Sequence, residues 1–268
     1  MIIYHGSKDI IEKPKYGIGN IKNDYGLGFY CTENIELAKE WACSNNQTSG
    51  YANQYEINVD NLKILDLRSE KYSILNWMAI LLKHRTFDLN NPISVIAKDY
   101  LINNFYINVD DYDVIVGYRA DDSYFSFAKD FINNTISVKQ LSMALMLGEL
   151  GTQIVLKSKK AFEEIKFQGY EFAESKEYYV KKISKDKKAR SMYLDVLRMD
   201  LPTNGVFIMD IIRKELKNGD KIIWYYLFRW CCNKYWYNVW ICNRKWTWCK
   251  QILEYVCIFK CCKRNRTW

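Results

Sequence analysis

The spacing of hydrophobic and polar positions changes several times along the chain, and each change marks an element. Ile2-Ile3 opens an apolar strand that predicts His5 at its end, with Gly6 after it leaving the backbone open to a ligand. In the stretch 23–43, NDYGLGFYCTENIELAKEWAC, Gly26 and Gly28 straddle one leucine and allow a tight turn before a short strand at Phe29-Tyr30. From Asn34 the period becomes helical through Ile35, Ala38, Trp41 and Ala42. Thr32 or Asn34 is available as N-cap, with Glu33 and Glu36 in the first turn. Residues 51–59 alternate, with Tyr51, Tyr55, Ile57 and Val59 on one face, and residues 63–67 read as a further strand. Residues 72–82 and 93–101 carry helical spacing and read as an insertion packed over one sheet.

The second half continues in the same mixed fashion. A short apolar strand at 113–117 delivers Tyr118, Arg119, Ala120, Asp121 and Asp122 at its end. Adjacent side chains on an extended segment point opposite ways, so at most one of Asp121 and Asp122 faces a given pocket; Asp122 also suits the N-terminus of a helix at 123–131. Ser137 and Gln140 form a capping-box pattern that starts a helix through Leu141, Ala144 and Leu145. Gly148 and Gly151 end it, bracketing Glu149 ahead of a β-branched strand at 153–157. There follow a turn of helix at 159–165, a closing strand at 167–172, a long charged helix at 174–198 and, beyond Pro202, a second helix at 207–216. Few strands in no strict βα alternation predict an α+β fold.

Composition divides the chain. Of 268 residues, 49% are hydrophobic, ample for a buried core. The net charge of +8 is misleading, because 221–268 hold ten Lys and Arg against the single Glu254, whereas 1–220 are balanced. Seven of nine Cys and seven of nine Trp also fall in 221–268. The boundaries expected are 1–172 for the main domain, 173–219 for a helical extension and 220–268 for a basic Cys/Trp-rich tail. That tail reads as translation out of the proper frame. A membrane-surface or nucleic-acid-binding segment ranks second, and zinc binding through Cys231, Cys232, Cys242 and Cys249 third. Two cysteines in the body, no signal-like start and no long apolar run predict a cytoplasmic protein without a transmembrane segment.

The chemistry narrows by exclusion. Gly17-Ile-Gly19 and Gly26-Leu-Gly28 lack the third glycine of a dinucleotide-binding turn, and no phosphate-cradling G-x-x-x-x-G-K motif occurs. With only His5 and His84, and no C-x-x-C, no metal centre is expected. Taken singly, His5 reads as a structural residue and Tyr30, Ala38 and Trp41 as core.

Taken together, Tyr4-His5-Gly6-Ser7 and the D-Y-G-x-G-F-Y-x-T run at 24–32 tell more. The pair resembles the ADP-ribosyltransferase superfamily, on the side of the poly-ADP-ribose polymerases and diphtheria toxin. The strongest likeness is to a poorly characterised bacterial family, over roughly residues 1–170. The resemblance implies split antiparallel sheets with inserted and C-terminal helices, and a site that takes NAD as substrate. His5 would hydrogen-bond the nicotinamide-side ribose, the Gly6 backbone would hold the carboxamide, and Ser7 and Gly28 would line the same site. Tyr30 would stack on the nicotinamide. Ala38 and Trp41 match positions where the family has a small hydroxyl residue and an aromatic, so Ala38 lacks the hydroxyl. Gln153 stands where a glutamate is expected, keeping the hydrogen bonds without the charge. Glu149, Asp121 and Asp122 are then the candidate acids. The activity implied is mono-ADP-ribosyl transfer to a protein or nucleic acid, in the setting of a toxin with a small antitoxin-type partner. The alternative is a catalytically weak module that binds NAD, ADP-ribose or a protein on the same fold.

Overall fold

Two sheets face each other across one apolar core. The computed structural model describes residues 1–120, 122–145, 147, 151–198 and 205–220, with the backbone alone at 122–124. The chain divides into two compact units, Met1–Trp224 and Tyr225–Trp268, and all described residues belong to the first. The tail expectation and its cysteines at 231, 232, 242 and 249 therefore lie outside the described residues.

The first sheet has the order β1 (Ile2–Ser7), β3 (Gly50–Ile57), β7 (Ile165–Ala173), all antiparallel. The second has the order β2 (Phe29–Cys31), β6 (Thr152–Leu156), β5 (Val114–Tyr118), β4 (Ile64–Asp66). Here β2, β6 and β5 run antiparallel, but β4 pairs with β5 in parallel, which corrects the expectation of purely antiparallel sheets. A parallel pair needs a long crossover, and the inserted helices α2 (Ile74–His84) and α3 (Pro92–Phe105) provide it.

Alternation along the strands builds the core. Ile3, Tyr55 and Ile57 from the first sheet meet Cys31, Val114, Val116, Ile154 and Leu156 from the second. Each such aliphatic or aromatic side chain stabilises the fold by about 1.5–3 kcal/mol on full burial. On the other face of the first sheet lies α1 (Ile35–Ala42), whose N-cap is Asn34; its Oδ1 accepts from the amides of Glu36 and Leu37. Thr32, the alternative cap, instead accepts from the Asn34 amide. α2 is buried almost all round, as a helix must be when neighbours cover both its sides: it packs on α3, and its Trp77 donates to the Tyr118 carbonyl at the end of β5.

The remaining helices are α4 (Asp122–Ile132), α5 (Val138–Ala144), α6 (Lys159–Glu163), α7 (Ser175–Arg198) and α8 (Ile208–Arg213). The Ser137–Gln140 capping box forms as the sequence predicts. α7 packs along α1, with Lys181 on Glu36 and Lys185 on the buried Glu40. α8 is shorter than the 207–216 expected, because Glu215 adopts a positive φ of 50° just after it. Strand β3 likewise ends at Ile57, before Val59.

The body closes on itself near residue 220. The Tyr100 hydroxyl donates to the Leu216 carbonyl, the Asn218 amide to Asn104, and Asp220 accepts from the Lys217 amide. A chain ended at Asp220 is therefore expected to keep a cooperative thermal transition within a few degrees of the full chain. Loss of that transition in the short chain alone would show that 221–268 hold the body together.

Candidate functional site

The two sheets touch through one backbone bridge. The amides and carbonyls of Tyr4 and Thr32 exchange both hydrogen bonds, at 2.7 and 2.9 Å, and beyond this bridge β1 and β2 part. Were the sheet continuous, Gly6 would pair with Tyr30 next. Among the described residues no backbone bond joins them. Instead the His5 ring enters the gap, stacked on Phe29 at 4.2 Å, with Nδ1 2.7 Å from the Tyr30 carbonyl. A carbonyl only accepts, so Nδ1 carries the proton and Nε2 keeps its lone pair. Backbone groups alternate sides along a strand. The N–H and C=O of Gly6 therefore turn the same way as those of Tyr4, into the gap.

This corrects one expectation. β1 runs on to Ser7, so His5 is interior to the strand rather than at its end. Gly6 also meets a steric demand the sequence did not announce: a Cβ there would lie 2.0 Å from the Ala38 carbonyl, 2.8 Å from the Ala42 amide and 2.9 Å from the Trp41 Cβ. α1 thus rests directly on β1, and the bare Gly6 backbone sets how close Ala38 and Trp41 come to the gap.

Tyr30 is held from behind. Its hydroxyl donates to the Gly26 carbonyl at 2.6 Å and accepts from the Tyr25 amide at 3.1 Å. Burial, the main cause, raises its pKa far above the usual phenol value, so it stays neutral. Because neighbours in a strand face opposite ways, the Tyr30 ring and the His5 ring lie on opposite sides of β2, and the Tyr30 carbonyl links them.

The loop before Tyr30 is fastened by residues that sequence reading passed over. Lys157, its side chain 5% exposed, donates to the carbonyls of Tyr25 and Leu27 and pairs with Asp110 at 3.1 Å. Tyr25 donates to the Tyr118 carbonyl, and buried Asp24 pairs with Arg85 and accepts from the Ala120 amide. The signal available was the loop's own acid and tyrosine, Asp24-Tyr25, whose partners sit some 60 to 130 residues away in sequence. Gly28 packs closely on β6, since a Cβ there would meet Val155 at 2.5 Å. The Ser7 hydroxyl bonds Asp9 and receives Asn53 Nδ2, from another unforeseen residue, fully buried and also bonded to the His5 carbonyl.

Gln153 pairs with Gly117 in β5, on the face it shares with Val155, opposite Tyr30. It is 7% exposed, and its Oε1 is buried without a partner, as is Trp41 Nε1. The Arg119 guanidinium lies 4.8 Å over the Trp41 ring. The gap thus brings together His5, Gly6, Tyr30, Ala38 and Trp41, with Gln153 on the adjoining strand. Asp121 and Glu149 lie outside the described residues, and so does the side chain of Asp122, which begins α4.

Both histidines are held neutral. Burial lowers the His5 pKa against the pull of the Tyr30 carbonyl, and burial together with the Lys157 ammonium lowers that of His84. A depressed histidine stabilises the fold fully above the unfolded value of 6.5 and loses that contribution as pH falls through its folded value. Melting temperature is therefore expected to drop as pH falls from 6.5 toward 5, less steeply in His5→Gln and His84→Gln. Equal slopes in all three proteins would remove the histidines as the cause.

A model for the family DUF3990, described as a protein of unknown function, matches residues 1–167, and the chain belongs to this family. The matched segment contains both sheets up to the start of β7 and every residue of the gap. No curated protein and no solved structure matches the chain. Among the described residues no helix is long and apolar enough to cross a membrane.

Proposed function

We propose that the gap between β1 and β2 takes the nicotinamide half of NAD, and that the protein is an NAD-dependent mono-ADP-ribosyltransferase of the kind its H-G-S and G-x-G-F-Y motifs resemble. The observation that carries this reading is the Gly6 amide and carbonyl turned together into the gap. A carboxamide presents an acceptor and a donor in one plane, the complement of that pair. His5 Nε2, fixed as an acceptor by the Nδ1 bond to Tyr30, suits a ribose hydroxyl. The reaction would cleave the bond between ribose and nicotinamide through a cationic, oxocarbenium-like state, with a nucleophile of a protein or nucleic acid taking the ADP-ribose. Such chemistry depends on positioning and on preorganised electrostatics.

Gln153 favours a second reading, a module that binds NAD or ADP-ribose and turns it over slowly. A neutral amide can hold a hydroxyl but cannot offset a forming cation. The settings implied by resemblance alone, a cytoplasmic toxin and a small antitoxin-type partner, belong to the first reading.

The test is incubation with NAD labelled in the adenylate, with and without cell lysate, followed by protease or nuclease digestion to locate the label. Transfer is expected to one macromolecular class. Calorimetric titration should show His5→Ala and Tyr30→Ala each weakening NAD binding; loss of an aromatic contact costs about 0.5–1.5 kcal/mol beyond its buried area. Undiminished affinity in folded Tyr30→Ala would count against the pocket.

A further inference from the structure

Strand β7 is an outer edge of the first sheet, and the hydrogen-bond pattern shows which of its backbone groups face outward. Met1 and Ile57 exchange both hydrogen bonds, at 2.9 Å each, so Ile57 is turned toward β1 and its neighbour Glu56 toward β7. Lys166, opposite Glu56, therefore points inward, and Ile165 and Phe167 present their amides and carbonyls outward. At the bulge Gln168 is extra: Tyr55 pairs with Phe167, but Gln54 with Gly169. Beyond it Gly169, Glu171 and Ala173 face β3, so Tyr170 and Phe172 are the ones turned out. Among the described residues these outward groups have no backbone partner.

An unpaired edge of this length can accept a further strand, and the bulge decides which. The outward residues fall at 165, 167, 170 and 172, a spacing of two, three and two. A straight strand offers its groups at every second residue, so it matches one half of this edge but not both. Read backwards, the edge has the same spacing. A second copy of β7 laid antiparallel sets bulge against bulge and keeps both halves in register, Phe167 with the second copy's Tyr170 and Ile165 with its Phe172. The bulge turns away straight strands, as the edges of natural sheets require, but not a copy of itself.

The side chains agree with this register. It places the exposed Lys166 beside the second copy's exposed Glu171, at a pair without mutual hydrogen bonds, where side chains come closest, and twofold symmetry repeats the contact. Glu171 already receives Lys39 at 2.8 Å, and its carboxylate has room for both cations. On the opposite face Tyr170 and Phe172 are 53% and 57% exposed, flanking the Tyr51 ring at 5.5 and 5.8 Å. The second copy's Phe167 and Ile165 would cover them. We propose that the protein pairs with a second copy of itself through the outer edge of β7, joining the two first sheets into one. The gap borders β1 at the opposite edge, so this assignment is independent of what the gap binds.

The test is the mass of the full chain by sedimentation across a concentration series. The unmodified chain should reach twice the 32.0 kDa of one copy. Lys166→Glu and Glu171→Lys each set like charges at both contacts, and each should sediment as a monomer with an unchanged melt. Mixed in equal amounts, the two variants should form a mixed dimer, because opposite charges then meet at both contacts, and the double exchange in one chain should restore self-pairing. Glu171→Lys also loses Lys39; if it melts early, Phe172→Asp takes its place, sets a carboxylate against the second copy's Ile165, and should be monomeric. A monomer at every concentration, or a dimer that survives Lys166→Glu and Phe172→Asp, would overturn the proposal. Single exchanges that part the copies but recover neither on mixing nor in the double exchange would overturn it too.

Discussion

Replacing Gln153 by glutamate is expected to raise the rate of nicotinamide release from NAD by about two to three powers of ten, the usual worth of one preorganised group acting on developing charge. The exchange keeps the shape of the side chain and adds a carboxylate where the Oε1 now has no partner. Burial penalises that charge. The carboxyl should titrate above the ordinary glutamate value of about 4.3, so activity should climb as pH rises through its raised pKa. The sign for stability is the reverse. A carboxyl whose folded pKa is raised costs nothing below its unfolded value and becomes increasingly destabilising as pH rises through and beyond it, so rates must be taken well below the melting temperature. If the unmodified chain already hydrolyses NAD and the variant is no faster, the acid lies elsewhere. Glu149→Gln, Asp121→Asn and Asp122→Asn should then each be tried, and one must abolish turnover. Turnover that survives all of these substitutions would sink a carboxylate-assisted mechanism. A chain that binds NAD yet stays inactive both as it is and as Gln153→Glu would establish the binding module.

Gly6→Ala should be the most damaging single-methyl change in the described body. The new Cβ would sit 2.0 Å from a carbonyl oxygen and 2.8 Å from an amide nitrogen of α1, both backbone atoms that cannot swing aside. Relief requires α1 to move off β1. Overpacking in a filled interior costs about 1–3 kcal/mol, and a clash with helix backbone belongs at or above the top of that range. For a body of this size about 3 kcal/mol lowers the melting temperature by roughly 6–12 °C. Gly17→Ala is the control. Gly17 has a positive φ of 80° but nothing within 4 Å of its Cβ, so it pays for backbone strain alone, about 1–2 kcal/mol. A melting temperature for Gly6→Ala no lower than that of Gly17→Ala would mean that α1 is not seated as described. Since the same helix carries Ala38 and Trp41, any surviving Gly6→Ala protein should also have lost NAD affinity, linking the packing of this strand to the site it borders.

The periodicities of this chain suffice for its elements. Asn34 and Ser137 announce their helices through side chains that bond amides two or three residues on, and the alternation at 51–57 needs only its own strand to be legible. Local chemistry settles such features, because the groups that decide them lie within one turn of one another. The H-G-S and G-x-G-F-Y motifs likewise marked where the gap would form. What these residues do was decided at longer range. Nothing near Gly6 in sequence says that its missing side chain is the seat of α1, because the atoms that forbid a Cβ belong to residues 38–42. Nothing near His5 says that it bonds a carbonyl 25 residues away, and hence which ring nitrogen carries the proton. Lys157 is one more basic residue at a strand end until the fold brings it to the carbonyls of Tyr25 and Leu27, some 130 residues earlier. Arg119 and Trp41 stand 78 residues apart and meet only in the fold, where the guanidinium lies over the indole ring. A side chain's burial, charge state and hydrogen-bond partners depend on what packs against it, and here those neighbours come from distant parts of the chain.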